Sequence, residues 1–521
     1  MEAEKDFSGN GMGERTVIEI KNGVARHPLW RMEEPINLEI KRGEQVAVVG
    51  DNAAGKSRLI EVLTGHYPLL LNEVHYDFSP SRLRLASENM KYITFRDSYG
   101  EQDGAYYYQQ RWNQHDIADD MPTAGALLQD FYAKADATIG HSLSAEEREQ
   151  EQMRRNAVRE KLSEIFHLTA LSSKLIISLS SGELRKFQLA KALGTNPRVL
   201  ILDNPFIGLD ASTREELRLL LSTLTCETDL LVILILSKRS DIPDFITHVL
   251  PVDGLHLLPK MTRQAYLHGM KDAEEMTEEL MLPLQTSNDE QLDSSPEKTL
   301  LHFRNVSIRY GERTILQPLD WTVREGERWA LSGPNGSGKS TLLSLVCADN
   351  PQAYACDIEL FGHRRGSGES IWEIKRHIGY VSPEMHRAYL KDIPAIDVVA
   401  SGLRDTVGLY VRPKPEQRQT CIDWMNVFGI SALADTSFLR LSSGEQRLCL
   451  LARAFVKDPD LLILDEPLHG LDDRNCSLVK QIIEQFCLRP KKTLIMVTHY
   501  EEELPRCITH RLTLKASSEK G

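Results

Sequence analysis

The same phosphate-loop pattern occurs twice in the sequence, and it limits how the chain can fold more than any other feature. The pattern G-x-x-x-x-G-K-S appears as GDNAAGKS at Gly50–Ser57 and as GPNGSGKS at Gly333–Ser340. An apolar run precedes each copy and an apolar helical pattern follows it. This order of strand, glycine-rich turn and helix places backbone N–H groups and a helix N-terminus around an anion. We therefore expect two parallel-sheet units, each with a site for nucleotide phosphates.

Shorter motifs repeat in the same order behind each phosphate loop. They are LSSGE from Leu179 and Leu441, LILD from Leu200 and Leu462, and G-L-D from Gly208 and Gly470. The phosphate loops lie 283 residues apart, whereas each later pair of motifs lies 262 residues apart. The first copy therefore has 21 extra residues between its phosphate loop and LSSGE. We place them in a longer helical insertion at about 97–178.

The length of 521 residues agrees with two α/β domains, because a single hydrophobic core rarely grows beyond about 250 to 300 residues. We place the first domain at 1–258, a linker at 259–299 and the second domain at 300–521. The linker holds an acidic helical run at 271–282 and a tract rich in Asn, Asp and Ser at 285–295. It is expected to be partly helical and partly flexible, unless its helical part packs on a domain.

Charge and hydropathy narrow the set of partners. The net charge of -13 repels a phosphate polymer on average, which disfavours nucleic acid or a ribosome as partner. Met1–Arg15 lacks the apolar stretch of a secretory signal, and the longest aliphatic run, Leu230–Leu236, is far short of the roughly 20 residues that cross a bilayer. No cysteine pair has C-x-x-C spacing, so reduced structural thiols are expected. We expect a cytoplasmic protein that reaches a membrane only through a partner.

The two loops predict MgATP as the ligand of both sites. Lys56 and Lys339 would contact the β- and γ-phosphates, and the hydroxyls of Ser57 and Ser340 would bind Mg²⁺. The nucleotide-binding positions expected in the loops are Gly50, Asn52, Gly55, Lys56, Ser57 and Arg58 in the first, and Gly333, Asn335, Gly336, Gly338, Lys339, Ser340 and Thr341 in the second.

Each LILD segment is expected to be a buried parallel strand that ends in a carboxylate. These carboxylates belong to Asp203 and Asp465. A strand-terminal aspartate is more often structural, but its place in this order of motifs favours a role in holding Mg²⁺ through water.

The order of motifs resembles the ATP-binding cassette family, and the resemblance covers nearly the whole chain in two copies. Within that family the chain is most similar to the ModF-type tandem ATPases of bacteria. That similarity rests on Leu360–Lys375 (LFGHRRGSGESIWEIK), Ile378–Pro383 (IGYVSP) and Cys507–Leu512 (CITHRL). The resemblance implies two P-loop ATPase domains, each with a mainly parallel sheet and a helical subdomain.

The resemblance also implies a catalytic glutamate directly after the strand aspartate. Glu466 occupies this place in the second copy, whereas Asn204 occupies it in the first. An amide orients water but cannot accept its proton, so hydrolysis is expected mainly at the site of Lys339 and Glu466. A later strand of the family ends in a histidine that reaches the γ-phosphate. His499 fits this position, and the first copy continues there with Lys238.

Two further family features concern adenine and the LSSGE segments. Tyr310 lies 23 residues before Gly333, where the family stacks an aromatic ring on adenine, and His27 has the same offset in the first copy. Cassettes of the family pair head to tail, so that the signature of one completes the site of the other. The intramolecular pairing implied here assigns Ser180 and Gly182 to the second site, and Ser442 and Gly444 to the first.

The chain departs from the family where a glutamine usually follows the I-G-Y-V strand. Pro383 and Glu384 stand there in the second copy, and Phe95 and Arg96 in the first. That glutamine senses an attached membrane domain, so coupling to such a domain is in doubt. An aromatic cluster in the insertion, residues 106–108 and 112, is either a partner surface or insertion core, and core packing is the default.

Three functions fit these features. The first is the ATPase of a membrane transport system, peripheral on the cytoplasmic face of the inner membrane, with a permease subunit as partner and molybdate as the implied cargo. The second is a soluble tandem ATPase that remodels a ribosome or another complex, although the basic linker of that branch is not evident at 260–298. The third is a DNA-associated ATPase, for which neither a zinc motif nor a basic tract is present.

Overall fold

The computed structural model describes residues 15–70, 73–95, 122–139, 143–176, 179, 181–269, 282–283, 298–310, 313–334 and 336–515, with backbone alone at 181, 310, 313, 387 and 388. The chain divides into two units, Met1–Glu274 and Glu275–Gly521, which we call unit 1 and unit 2.

Unit 1 contains a mainly parallel sheet and a smaller antiparallel sheet. Its strands are β1 Thr16–Gly23, β2 Ile36–Lys41, β3 Val46–Val49, β4 His75–Tyr76, β5 Met90–Thr94, β6 Val199–Asp203, β7 Leu231–Leu236, β8 His248–Asp253, β9 His256–Leu257 and β10 Met261–Thr262. The larger sheet has the order β10-β8-β3-β7-β6-β5, with β9 paired to β8, and β5, β6, β7, β3 and β8 are parallel. The smaller sheet has the order β2-β1-β4.

Helices cover the larger sheet of unit 1. They are α1 Lys56–Leu63, α2 Ala86–Asn89, α3 Ala124–Ala137, α4 Ala145–Ile165, α5 Leu168–Ser172, α6 Ser181–Leu193, α7 Ala211–Glu227 and α8 Arg263–His268. The first three helices after residue 122, α3 to α5, belong to the expected insertion, whose aromatic residues 106–108 and 112 lie outside the described residues. Strand β10 and helix α8 continue unit 1 beyond residue 258, since Tyr266 is buried in its core.

Unit 2 repeats this plan. Its strands are β11 Thr299–Tyr310, β12 Arg313–Arg324, β13 Arg328–Ser332, β14 Asp357–Leu360, β15 His363–Arg364, β16 Ile378–Val381, β17 Leu461–Asp465, β18 Thr493–Val497 and β19 His510–Thr513. Its helices are α9 Lys339–Val346, α10 Ile371–Lys375, α11 Pro383–Ala388, α12 Ala395–Ser401, α13 Pro415–Val427, α14 Ser443–Phe455 and α15 Asp473–Leu488. A parallel sheet has the order β16-β17-β18-β13-β19, and an antiparallel sheet has the order β12-β11-β14-β15.

The apolar strands β6 and β17 each lie between two other strands, next to the edge strand of their sheet, and Val199–Leu202 and Leu461–Leu464 are fully buried. Both faces of a parallel sheet are covered by helices, which explains why these strands are continuous apolar runs. Polar residues that follow such strands emerge together at the carboxyl edge, where ligands of open α/β sheets bind. The phosphate loops after β3 and β13 meet the ends of β6 and β17 at this edge.

The aspartates of the two G-L-D motifs begin helices. Asp210 Oδ1 accepts a hydrogen bond from the Thr213 amide before α7, and Asp472 Oδ1 accepts one from the Asn475 amide before α15, both at 2.8 Å. An N-cap aspartate satisfies an amide that has no partner within the helix, which explains its place in the motif.

None of the described helices has the length and apolar character needed to span a membrane.

Candidate active site

Each phosphate loop ends in a glycine with left-handed backbone geometry that leads directly into a helix. Gly55 has a φ of 106° before α1, and Gly338 has a φ of 91° before α9. A Cβ at Gly338 would lie 2.7 Å from the carbonyl oxygen of Ile315, so no side chain fits there. The glycines therefore let the loop close around a helix N-terminus, where N–H groups and the helix dipole favour a phosphate.

The side chain of each loop lysine folds back toward the start of its own loop. Lys56 Nζ donates to the carbonyl oxygens of the first two loop residues at 2.6 and 2.7 Å. Lys339 Nζ makes the same two contacts in unit 2 at 2.6 and 3.0 Å. Both ammonium groups are therefore held where a P-loop lysine meets the β- and γ-phosphates.

The hydroxyl groups of the second loop also fit a phosphate ligand. Ser340 is exposed at the start of α9, as Ser57 is at the start of α1. Ser337 Oγ is buried, and among the described residues it has no hydrogen-bond partner. Leaving a buried hydroxyl unpaired costs about 1 to 3 kcal/mol, which a phosphate oxygen in the loop would offset.

Asp465 ends β17, and its buried carboxylate lies near the carboxylates of Glu466 and Glu384. Its pKa is raised to about 8 by burial and by the neighbouring charges of Glu466 and Glu384, which outweigh the opposing effects of Arg447 and Lys339. A carboxylate in this position is stabilised when a divalent cation binds beside it. The donor set of Asp465 and Ser340 therefore fits Mg²⁺, which accepts hard oxygen ligands.

Glu466 follows Asp465 and contacts His499. The Nε2 atom of His499 lies 3.1 Å from Glu466 Oε1. Burial opposes the charged form, but the hydrogen bond from His499 and the positive potential of His469, His499 and Arg447 lower the pKa of Glu466 to about 2. The carboxylate is therefore ionised at neutral pH and oriented by the histidine, as a group that positions water and accepts its proton must be.

Asn204 of unit 1 has the same backbone conformation as Glu466 of unit 2, but its side chain is an amide and not a carboxylate. Its φ is 47° and that of Glu466 is 49°, and each amide donates to the neighbouring strand at 2.9 Å. The Asn204 side-chain amide donates to Asp203 Oδ1 at 3.0 Å, while the Tyr92 hydroxyl donates to Asp203 Oδ2 at 3.1 Å. Both oxygens of the unit 1 aspartate therefore accept hydrogen bonds from side chains, and the residue beside it has no basic oxygen.

The strand register corrects the position that corresponds to His499 in unit 1. Asp203 pairs with Ile235, and Asp465 pairs with Val497. Two residues further along β7 and β18 stand Ser237 and His499, so Lys238 corresponds to Tyr500 instead. Ser237 Oγ donates to the side-chain oxygen of the loop residue Asn52 at 3.2 Å. Unit 1 therefore has a small hydroxyl where unit 2 has an imidazole.

In the second signature the residue that replaces the usual glutamine, Glu445, takes part in a helix cap. Ser442 begins α14, where its hydroxyl accepts a hydrogen bond from the Glu445 amide at 3.4 Å, and Glu445 Oε2 accepts one from the Ser442 amide at 2.7 Å. This reciprocal capping box stabilises the first turn of the helix. Gly444 is buried in that turn, and Gly182 is half-buried at the same place in α6.

Two arginines that the sequence analysis did not single out support the strand ends. Arg447 is 1% exposed, and its Nη2 atom donates to the carbonyl oxygens of Asp465, at 2.9 Å, and Glu466. Arg185, at the same place in α6, donates to the carbonyl oxygen of Ile207. The repeated spacing of 262 residues was the signal that pairs them. Each arginine ties its signature helix to the loop behind the strand aspartate of the same unit.

Different side chains occupy the positions after β16 and β5, where the family usually has a glutamine. Glu384 lies in the first turn of α11, and its charge contributes to the raised pKa of Asp465. In unit 1 the ring of Phe95 lies 4.3 Å below the guanidinium carbon of Arg185. Arg96 lies outside the described residues.

Several sequence predictions concern positions that the structure does not describe. Asn335 and Ser180 lie outside the described residues, and the side chain of Tyr310 at the end of β11 does as well. His27 is described; its Nδ1 atom accepts a hydrogen bond from the Leu29 amide at 3.3 Å.

Comparison with known proteins places both units in one group. The family model described as ABC transporter matches residues 34–207 and 316–469. The ABC transporter ATP-binding protein ModF of Escherichia coli is 35% identical over 95% of this chain and 96% of its own length. An uncharacterized ABC transporter ATP-binding protein of Schizosaccharomyces pombe is 29% identical over 94% of this chain and 95% of its own length.

A solved structure shares the fold. It contains an archaeal ribosome recycling factor in complex with an archaeal ribosomal stalk protein, and the match covers 94% of this chain and 87% of that one with a TM-score of 0.53. The sequence identity is 17%.

Proposed function

Because this chain belongs to the ATP-binding cassette family and is an ATPase with tandem cassettes, we propose that both units bind MgATP and that hydrolysis takes place mainly in unit 2. The contact of Glu466 with His499 carries this proposal. It supplies an ionised, oriented carboxylate beside the phosphate loop, whereas unit 1 has Asn204 and Ser237 at those positions.

Each of these residues of unit 2 has a different role in the proposed hydrolysis. Lys339 and the loop amides bind the β- and γ-phosphates and hold them in line with an attacking water. Glu466 orients that water and accepts its proton, and His499 holds the carboxylate in place. Ser340 and Asp465 would hold Mg²⁺, which when bound neutralises charge on the phosphates.

Unit 1 is proposed to bind MgATP through Lys56, Ser57 and Asp203 without efficient hydrolysis. Asn204 orients water but has no oxygen basic enough to take its proton, so the nucleotide stays bound for longer. The number of ATP molecules bound at equilibrium tests this. We expect two for the unaltered chain and one for each of Lys56→Ala and Lys339→Ala; a value of one for the unaltered chain contradicts binding in both units.

We also propose that the two cassettes act as a pair within one chain. The family pattern supports this, because a nucleotide bound in one cassette is completed by the signature of another. Ser442 and Gly444 would then serve the nucleotide of unit 1, and Ser180 and Gly182 that of unit 2. Ser442→Arg should speed the release of nucleotide from unit 1, measured as the dissociation rate of labelled ATP; an unchanged rate contradicts the pairing.

For the cellular role we propose the ATP-binding subunit of a membrane transport system at the cytoplasmic face of the inner membrane. The similarity to the ABC transporter ATP-binding protein ModF over nearly the whole chain supports this role. A molybdate-related cargo is what the resemblance to the ModF-type ATPases implies. A soluble factor that remodels a ribosome or another complex is the second candidate. The replacement of both sensing glutamines favours it, since a permease would then lack its usual contact.

One capture experiment separates the two roles. Glu466→Gln protein is held with MgATP and purified by affinity, beside a Lys339→Ala, Glu466→Gln control that lacks the loop lysine of unit 2. Recovery of a membrane permease that depends on ATP, and is lost in the control, supports transport. Recovery of ribosomes instead contradicts transport and supports the second role.

A further inference from the structure

Unit 1 has a cavity at the edge of its parallel sheet that lies opposite the phosphate loop. It measures about 1050 Å³ and opens where β3, β6 and β7 begin. Three guanidinium groups line it, from Arg15, Arg42 and Arg198, together with the carboxylates of Asp77 and Asp229. This cluster carries a net positive charge of one, although the chain as a whole carries -13. Such a cluster concentrates anions.

Arg198 is the central cation of this cavity. It is half-buried, and among the described residues its guanidinium makes one long hydrogen bond, from Nε to the carbonyl oxygen of Phe78 at 3.5 Å, and no ion pair. Burial lowers the pKa of Arg198, and repulsion from Arg42 adds to this effect while Asp229 opposes it. Arg42 itself is paired with Asp229 at 2.6 Å. The remaining N–H groups of Arg198 therefore face the cavity with hydrogen-bonding capacity to spare.

Unit 2 shows that the fold does not require Arg198 and Arg42, although Lys298 keeps a cation at the position of Arg15. By the spacing of the repeat, Asp460 stands where unit 1 has Arg198, and Glu325 where it has Arg42. Lys492 replaces the apolar Leu230, and its Nζ atom donates to two backbone carbonyl oxygens at 2.9 and 3.0 Å. Asp460 accepts a hydrogen bond from His377 at 2.6 Å. At this edge unit 2 therefore holds Asp460 in an internal pair, where unit 1 has Arg198 without an ion pair among the described residues.

The remaining lining defines the class of ligand. Hydroxyl groups of Ser79, Thr225 and Thr228 lie beside apolar side chains of Val17, Phe78, Leu230 and Leu231. The volume lies just above the upper end of the range typical of small-molecule pockets, about 300 to 1,000 Å³, and exceeds the space that one free phosphate fills. Guanidinium groups bind phosphate through pairs of parallel hydrogen bonds. We infer that this cavity of unit 1 binds a small organic phosphate, with the phosphate on Arg198 and Arg42 and the body against the hydroxyl and apolar wall.

Calorimetric titration with ribose 5-phosphate tests this inference in the full chain saturated with MgADP, which fills the phosphate loops. We expect binding that Arg198→Gln weakens roughly 10- to 100-fold, the effect of losing a charge-assisted hydrogen bond. The matched control, Asp460→Asn in unit 2, should leave the affinity unchanged. Equal affinity for the unaltered chain and Arg198→Gln overturns the site. Inorganic phosphate that binds as tightly as ribose 5-phosphate overturns the organic part of the ligand.

Cys226 gives a second measurement that also works if Arg198→Gln loses stability. It lines the cavity, it is the only exposed cysteine of the eight, and the other seven all lie in unit 2. An anionic methanethiosulfonate should modify Cys226 faster than a cationic one, and ribose 5-phosphate should slow both reactions. Arg42→Gln, at the exposed rim, should reduce the preference for the anionic reagent. A preference for the cationic reagent, or no protection by ribose 5-phosphate, overturns the inference.

Discussion

The carboxyl edges of the two parallel sheets differ in their side chains far more than in their backbone. Asn204 and Glu466 adopt the same left-handed φ, and each amide donates to the adjacent strand at the same distance. His499 stands beside Glu466, and Ser237 occupies the corresponding position in unit 1. The two units therefore share the backbone of this loop and differ in the side chains that we propose to act on the attacking water.

The largest effect is expected at the two residues that follow the strand aspartates. Glu466→Gln removes the proton acceptor of unit 2 and should lower the steady-state ATPase rate by about 10² to 10⁴. Asn204→Gln is the matched change in unit 1 and should alter the rate by much less. Similar losses in both variants would break the proposed asymmetry.

The histidine that holds Glu466 should have the next largest effect. His499→Ala removes a hydrogen bond to an ionised carboxylate, worth about 1.5 to 3 kcal/mol, so kcat should fall roughly 10- to 100-fold. Because that bond also helps keep the pKa of Glu466 low, the acid limb of the rate profile should move to higher pH. An acid limb that stays in place would show that the histidine does not act through Glu466.

The glutamate and histidine pair of unit 2 can be introduced into unit 1 by two substitutions. Asn204→Glu with Ser237→His, placed in a Lys339→Ala chain, should raise residual ATP turnover by about 10-fold or more, since the strand register puts the two new groups side by side. The control Asn204→Glu with Lys238→His places the imidazole one residue too far. Equal turnover in the two variants would contradict the register that we assign.

Replacement of the buried arginine should lower the free energy of unfolding more in unit 2 than in unit 1. Arg447→Met leaves the carbonyl oxygens of Asp465 and Glu466 without this donor and should lower the free energy of unfolding by about 1 to 3 kcal/mol. Arg185→Met removes the donor to the carbonyl oxygen of Ile207 and should cost less, because Arg185 is 7% exposed whereas Arg447 is 1% exposed. Chemical unfolding, followed separately for each variant, measures the difference; a larger loss for Arg185→Met would reverse the comparison.

The smallest effect is expected at the second signature. Glu445→Ala removes one half of the capping box at the start of α14 and should destabilise unit 2 by roughly 0.5 to 2 kcal/mol. Glu445→Gln keeps the reciprocal hydrogen bond and restores the family residue, so its loss should be smaller. Thermal unfolding of the two variants distinguishes a structural cap from a group needed only for turnover.

The sequence predicted much of the fold and part of the site. The order of motifs indicated two α/β units with phosphate loops, and the structure has parallel sheets with Lys56 and Lys339 at the loop mouths. Assignments that depend on neighbours along the chain, such as Glu466 after Asp465, need no tertiary information. The composite sites, the adenine contacts and the domain boundaries stay predictions.

Only the tertiary structure decided which residues meet across strands and helices. Reading along the chain suggested Lys238 as the counterpart of His499, but pairing between β6 and β7 assigns Ser237, because a shift of one residue turns a side chain to the other face. Arg447 reaches Asp465 from a distant helix, and the cations of Arg15, Arg42 and Arg198 converge from separate segments. Local order along the chain thus determined the chemistry available to this protein, and packing decided which groups act together.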